Sequence, residues 1–116
     1  MKASMDAGRA VTLDRTHSIA DGLMPVRPGD LTYAHVRRFV DEIVTVDDLQ
    51  IARAVVWLND RAAIVAEPSG AATVAAALEN AVTVGGPIVA IVSGGNMDAG
   101  TLGEMRRLVN QSSPLA

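Results

Sequence analysis

The sequence predicts an α/β fold, a partial three-layer arrangement in which a small, mainly parallel sheet is flanked by helices. Three observations carry that reading. Stretches of helical periodicity alternate with short apolar runs at 42–46, 63–66 and 88–92, and strands alternating with helices of crossover length imply parallel pairing. Ala, Val, Ile and Leu dominate while aromatics are confined to Tyr33, Phe39 and Trp57, a composition suited to helices laid closely on a sheet. The strongest apolar run, Ile88–Val92, ends in SGGN, Ser93–Asn96, where ligands settle in open α/β sheets.

Taken in order, residues 1–30 form an extended or irregular opening segment, punctuated by Asp21-Gly22, Pro25, Pro28 and Gly29. Such length without periodicity belongs to functional loops or to pieces that pack on something else. The α/β domain covers 31–110, and the tail 111–116 is expected to fray. Val36, Phe39, Val40 and Ile43 fall at helical spacing and predict a helix over about 32–42 with Arg37, Arg38 and Asp41 on its outer face. EIVTV, 42–46, predicts a short strand. Thr45 followed by Asp48 resembles a capping box, and Ile51, Val55, Leu58 and Ala62 then share one face of a helix ending near Asp60.

AIVA, 63–66, meets Glu67-Pro68-Ser69-Gly70, where proline fits the first turn of a new helix. That helix, about 69–83, is apolar around most of its circumference, which predicts burial on several sides. Gly85-Gly86-Pro87 ends it, 88–92 is a buried strand, and Leu102, Met105 and Val109 mark a last helix. A sheet of two or three short strands has open edges that need cover or a partner.

The chain has 116 residues and no cysteine. It is long enough to bury about 65% of its unfolded surface in one domain, and disulfide frameworks and thiolate metal sites are excluded. His17 and His35 are too far apart for a zinc pair, so no metal site is expected. A net charge of −3 with both signs interspersed disfavours nucleic acid and anionic membranes as partners. No apolar run approaches the ~20 residues of a membrane span, and MKASMDAGRAV lacks a signal-peptide core; a cytoplasmic location is expected.

In SGGN, Gly94 and Gly95 permit close approach of the backbone to a flat or charged group. On physics alone a ligand role and a plain strand-to-helix turn both remain open. A phosphate cradle is disfavoured, because Asp98 stands near the next helix start and repels an anion. Glu67 before Pro68 has an ordinary explanation as a carboxylate stabilised by the helix dipole. His17 and His35 enter no recognisable catalytic order.

Read together, THSIADGL (16–23), RPGDLTY (27–33), EIVTVDDLQIARAV (42–55), VAEPSGAA (65–72) and IVSGGNMD (91–98) resemble the threonine ammonia-lyase (threonine dehydratase) and serine racemase family. These are fold-type II pyridoxal phosphate enzymes, and the match is to their C-terminal half, the C-terminal part of the large domain. It covers about residues 1–110. The resemblance implies pyridoxal phosphate as cofactor and gives Ser93 the hydrogen bond to its pyridine nitrogen. It places Glu67 near the ring and Gly70, Gly94 and Gly95 along the site; Asn96 completes the motif.

The family's cofactor-anchoring lysine, the asparagine beside the cofactor hydroxyl and the phosphate-gripping glycine loop have no counterpart in this sequence. The single lysine, Lys2, matches no catalytic position. A neutral hydrogen bond contributes about 0.5–1.5 kcal/mol, whereas micromolar binding requires about 8 kcal/mol. The expectation is therefore a truncated, catalytically incomplete chain that does not retain pyridoxal phosphate alone. Two partners are expected: a separate N-terminal half carrying the lysine, or further copies of the chain in a homo-oligomer. In the second case it would be a stand-alone binding or regulatory domain without catalysis.

Overall fold

A computed structural model describes residues 1–112. Its helices are α1 (Lys2–Asp6), α2 (Asp30–Phe39), α3 (Asp48–Ala62), α4 (Pro68–Leu78) and α5 (Ala99–Ser112), with a 3-10 turn at Asp21–Leu23. α3 is central and packs against both α4 and α5.

The stripe Ile51, Val55 and Leu58 on α3 is buried as its spacing predicts, while Ala62 is exposed. Ala52 and Ala54 of α3 and Ala71 and Ala75 of α4 are fully buried; side chains this small let the helices approach closely. Met105 of α5 closes the cluster, with Leu102, Leu108 and Val109 packed beside it. Arg106 ties α5 to α3 by donating to Asp60 at 3.0 Å and Asn59 at 3.1 Å.

The predicted elements shift at their ends for identifiable reasons. α2 starts earlier and stops at Phe39 because Val40 turns extended. Its buried residue is Tyr33, and the anticipated apolar face is open, with Phe39 69% exposed. α3 is capped by Asp47, not Thr45: the Asp47 carboxylate accepts from the Gln50 N–H and the Gln50 side chain accepts from the Asp47 N–H, both at 2.8 Å. It runs on to Ala62 and ends with Ala63 in a left-handed conformation. α4 ends at Leu78 rather than 83, since Asn80 takes positive φ. It is buried on one side only, through Ala71, Val74 and Ala75, and Leu78 is exposed.

The largest correction concerns the sheet. Among the described residues there is no β-ladder: 42–46, 63–66 and 88–92 carry no strand assignment. Neither 42–46 nor 88–92 makes a backbone–backbone hydrogen bond. Each lays some side chains on the helices, Val46, Ala90 and Val92 among them, and turns others outward, with Val89 87% and Ile91 71% exposed. A strand is defined by its neighbour, and these segments have none among the described residues.

The opening segment is also more ordered than its sequence predicts. It contains α1 and the 3-10 turn. Ser18 Oγ donates to Asp48 at 2.6 Å, and the Ile19 N–H donates to the same carboxylate at 3.2 Å. Side chains at the starts of α3 and α4 thus fix the ADG turn. Of the tail expected to fray, Gln111 and Ser112 are helical, and 113–116 lie outside the described residues.

Accessible surface measures how open the fold is. The chain exposes 7973 Å², whereas a compact monomer of this mass exposes about 6,000 Å². Burial therefore reaches about 55% of the unfolded surface, not the anticipated 65%. The radius of gyration, 15.3 Å, likewise exceeds the ~13 Å of a compact domain this long.

Candidate functional site

The site begins where 63–66 turns into α4. Glu67 occupies the N-cap with extended backbone and Pro68 the first helical position, where the missing N–H of proline costs nothing. The Glu67 side chain does not cap its own helix. Instead its backbone N–H donates to the Gly94 carbonyl at 3.1 Å, and its carboxylate accepts from the Asn96 N–H at 3.1 Å. The helix-dipole account of Glu67 is thus incomplete: this carboxylate fixes the SGGN turn.

The glycines serve the same junction. A Cβ on Gly70 would lie 2.7 Å from the Gly94 carbonyl oxygen, so α4 and SGGN meet backbone to backbone. Gly94 has φ +146°, and a Cβ there would stand 2.6 Å from the Glu67 carboxylate. A Cβ on Gly95 would meet the Val65 carbonyl at 3.0 Å. Glycine is required here for packing the turn onto α4.

Ser93 is exposed at the head of that turn, and its hydroxyl has no hydrogen-bond partner among the described residues. A hydroxyl can donate or accept, so it suits a pyridine-type nitrogen in either role. Asn96 is exposed as well, and its backbone N–H is engaged by Glu67. All six residues picked out in the sequence, Ser93, Gly94, Gly95, Glu67, Gly70 and Asn96, converge on the junction of α4 with the turn.

Beside this junction lies a depression of about 500 Å³ lined by Ile19, Asp21, Gly22, Glu67, Asn96 and Thr101. Asp21, Gly22 and Ser69 were assigned no role from sequence. Ser69 Oγ accepts from the Gly22 N–H at 2.9 Å and donates to Asp21 at 3.4 Å, closing the ADG turn onto the start of α4. The clue was the co-occurrence of ADG and EPSG, but the contacting residues are 47–48 positions apart.

The electrostatics of the region are acidic. Asp98 accepts from the Thr101 N–H at 2.7 Å, and that bond holds its carboxyl below the usual carboxylate range. With Asp21 and Glu67 nearby and no lysine or arginine among the lining residues, the site repels a phosphate rather than gripping one. Lys2 sits on α1, paired with Asp6 at 3.0 Å. His17 and His35 are exposed and take no part. No group of three or more potential metal ligands occurs among the described residues, and no described helix is long and apolar enough to cross a membrane.

The residues present fit a pyridine ring through the Ser93 hydroxyl, which has no partner among the described residues; they do not fit its phosphate. The family described as pyridoxal-phosphate dependent enzyme matches residues 1–94. L-threonine ammonia-lyase of Thermotoga maritima is 38% identical over 111 residues, 96% of this chain and 27% of that protein. Serine racemase of Oryza sativa subsp. indica is 43% identical over 107 residues, 87% of this chain and 31% of that protein.

Among solved structures, the processed form of threonine deaminase isoform 2 from Solanum lycopersicum superposes with a TM-score of 0.84 at 30% identity. It covers 96% of this chain and 31% of that one. The α/β fold of that enzyme class therefore accommodates these helices and extended segments. The chain spans between a quarter and a third of the length of these relatives. It belongs to the pyridoxal-phosphate dependent enzyme family.

Proposed function

We infer that this chain supplies the cofactor-ring wall of a pyridoxal phosphate-dependent threonine or serine ammonia-lyase and is catalytically incomplete by itself. The observation that carries the reading is the unpartnered Ser93 hydroxyl, presented on a glycine turn that Glu67 holds rigidly against α4. When bound, the cofactor supplies an electron sink for negative charge developing at the substrate α-carbon. Ser93 orients the ring through its nitrogen. Because the residue is neutral, it does not hold a proton there as a carboxylate would, which suits a reaction whose leaving group departs promptly. Gly94 and Gly95 let the turn pack closely on Glu67 and Val65, and Glu67 keeps the turn from drifting. A cytoplasmic location accompanies this function.

The missing functions are a lysine to tether the cofactor and move the α-proton, and a grip on the phosphate. Lys2 is paired with Asp6 on α1 and is not among the residues lining the depression. A polypeptide carrying both completes the site. A second reading, a self-associating binding domain without catalysis, is favoured by the exposed apolar residues Ile88, Val89 and Ile91.

Spectrophotometric titration with pyridoxal phosphate tests the first reading. The chain alone should give no bound-cofactor band. Adding the part of the Thermotoga maritima enzyme that precedes the matched stretch should produce one, and Ser93→Ala in the mixture should alter its absorbance and weaken retention. A mixed sample whose spectrum ignores Ser93→Ala would refute the ring-wall role.

A further inference from the structure

We propose that the Asp21-Gly22 peptide is a site of spontaneous isomerisation to isoaspartate, and that the Ser69 hydroxyl sets its rate. The inference concerns this chain alone and stands apart from the ring-wall reading.

Asp21-Gly22 is the only place in the sequence where an aspartate or asparagine precedes glycine. Glycine carries no side chain to hinder attack by its own nitrogen. Both residues are exposed, at the start of the 3-10 turn, so water reaches them. The Asp21 carboxylate is folded back over the following peptide, its Oδ1 accepting from the Gly22 N–H at 2.7 Å. The reacting carboxyl therefore already touches the nitrogen that would attack it. Other aspartates are committed elsewhere: Asp98, which precedes Ala99, accepts from the Thr101 N–H three residues on, and Asp6, which precedes Ala7, is paired with Lys2.

The reaction balances with water as its only co-reactant. The Gly22 nitrogen bonds to Asp21 Cγ, the carboxyl hydroxyl departs with the amide proton as water, and a five-membered succinimide results. Water then adds at the ring carbonyl that was the Asp21 backbone carbonyl, and the bond from that carbon to the Gly22 nitrogen breaks. The chain now runs through Cγ with one more methylene in its backbone, a carboxylate stays on the Asp21 α-carbon, and nothing is oxidised or reduced.

Ser69 opposes this step by holding both reacting groups. Its Oγ accepts from the Gly22 N–H at 2.9 Å and donates to Asp21 Oδ1 at 3.4 Å. Ring closure requires the nitrogen to give up that proton and the carboxyl to swing its carbon inward, so both bonds open first. The guard is itself fixed, because Ser69 lies in the first turn of α4. The turn also has no slack for an added methylene: a Cβ on Gly22 would stand 2.9 Å from Ser69 Oγ. Asp21 and Gly22 line the acidic depression, so isomerisation reshapes its rim.

Prolonged incubation of the chain at neutral pH and physiological temperature tests the proposal, with tryptic peptides read by a fragmentation method that distinguishes isoaspartate from aspartate. Isoaspartate should accumulate at position 21 and at no other aspartate, and should be absent in Asp21→Glu. Ser69→Ala should raise the rate by about two- to tenfold, the factor carried by one ordinary hydrogen bond, with its helical circular dichroism unchanged. Ser69→Thr, which keeps the hydroxyl, should stay near the parent rate, and a synthetic peptide of residues 16–27 should convert faster than any folded form. No isoaspartate at 21 while that peptide converts, or equal conversion at other aspartates, would overturn the proposed site. A Ser69→Ala rate equal to the parent's, a Ser69→Thr rate equal to that of Ser69→Ala, or a parent rate equal to the peptide's would overturn the role of Ser69. Were Ser69→Ala to lose its helical spectrum, the comparison of parent, Ser69→Thr and peptide decides by the same order.

Discussion

Gly70 is the residue on which the junction between α4 and the SGGN turn depends most directly. Adding a methyl group there drives it into the Gly94 carbonyl at 2.7 Å, and backbone on both sides leaves nothing soft to yield. Gly70→Ala should therefore destabilise the fold by about 1–3 kcal/mol, read as a lower urea midpoint. Gly103 in α5 has open space around it, so Gly103→Ala should raise stability by about 0.5–1 kcal/mol. Opposite signs for these two glycines separate close backbone approach from helix propensity.

Asp60 is a second residue with a definite sign. Its hydrogen bond to Arg106, helped by the guanidinium charge, holds the carboxyl below its ordinary value of 3.8. A lowered folded-state pKa means the contribution is fully present above the unfolded pKa and disappears as pH falls through the folded one. The stability this pair adds between α3 and α5 should therefore persist at neutral pH and vanish below about pH 4. Arg106→Ala should flatten the acid limb of the stability–pH curve, and because both groups are exposed the effect should be small and salt-sensitive.

At the scale of elements, α3 was the most legible part of the chain because its signal is local. Ile51, Val55 and Leu58 recur at helical spacing, and the stripe is what it buries. Its cap was misread by two residues because Thr45–Asp48 and Asp47–Gln50 both match the spacing of a capping box, and only the geometry distinguishes them. Asp47→Ala should cost about 0.5–2 kcal/mol, measurable by thermal or chemical unfolding, and Thr45→Ala much less. The strands were legible as extended apolar chain but not as a sheet. What 42–46 and 88–92 lack among the described residues is a backbone neighbour, and no pattern within a segment reveals whether its neighbour lies in the same chain. The ADG–Ser69 clasp was invisible for a related reason, its partners being 47–48 residues apart.

For the whole molecule, the six residues that meet at the junction of α4 with the SGGN turn were all picked out in the sequence, because they fall in two short motifs, EPSG and SGGN. Their roles toward one another were not. Gly94 and Gly95 read as an opening for a ligand, yet the structure uses their missing side chains to seat Glu67 and Val65.

The same division applies to the fold. Helices α3, α4 and α5 carry their own core, and the excess surface and the unpaired segments support the proposed incompleteness of the unit. Conversion of L-threonine or L-serine to its 2-oxoacid, measured with saturating pyridoxal phosphate, tests this incompleteness most directly. The isolated chain should release no 2-oxoacid above the cofactor blank, and product should appear only with the lysine-bearing portion added. Sustained turnover by the isolated chain, lost on Lys2→Ala, would contradict the account.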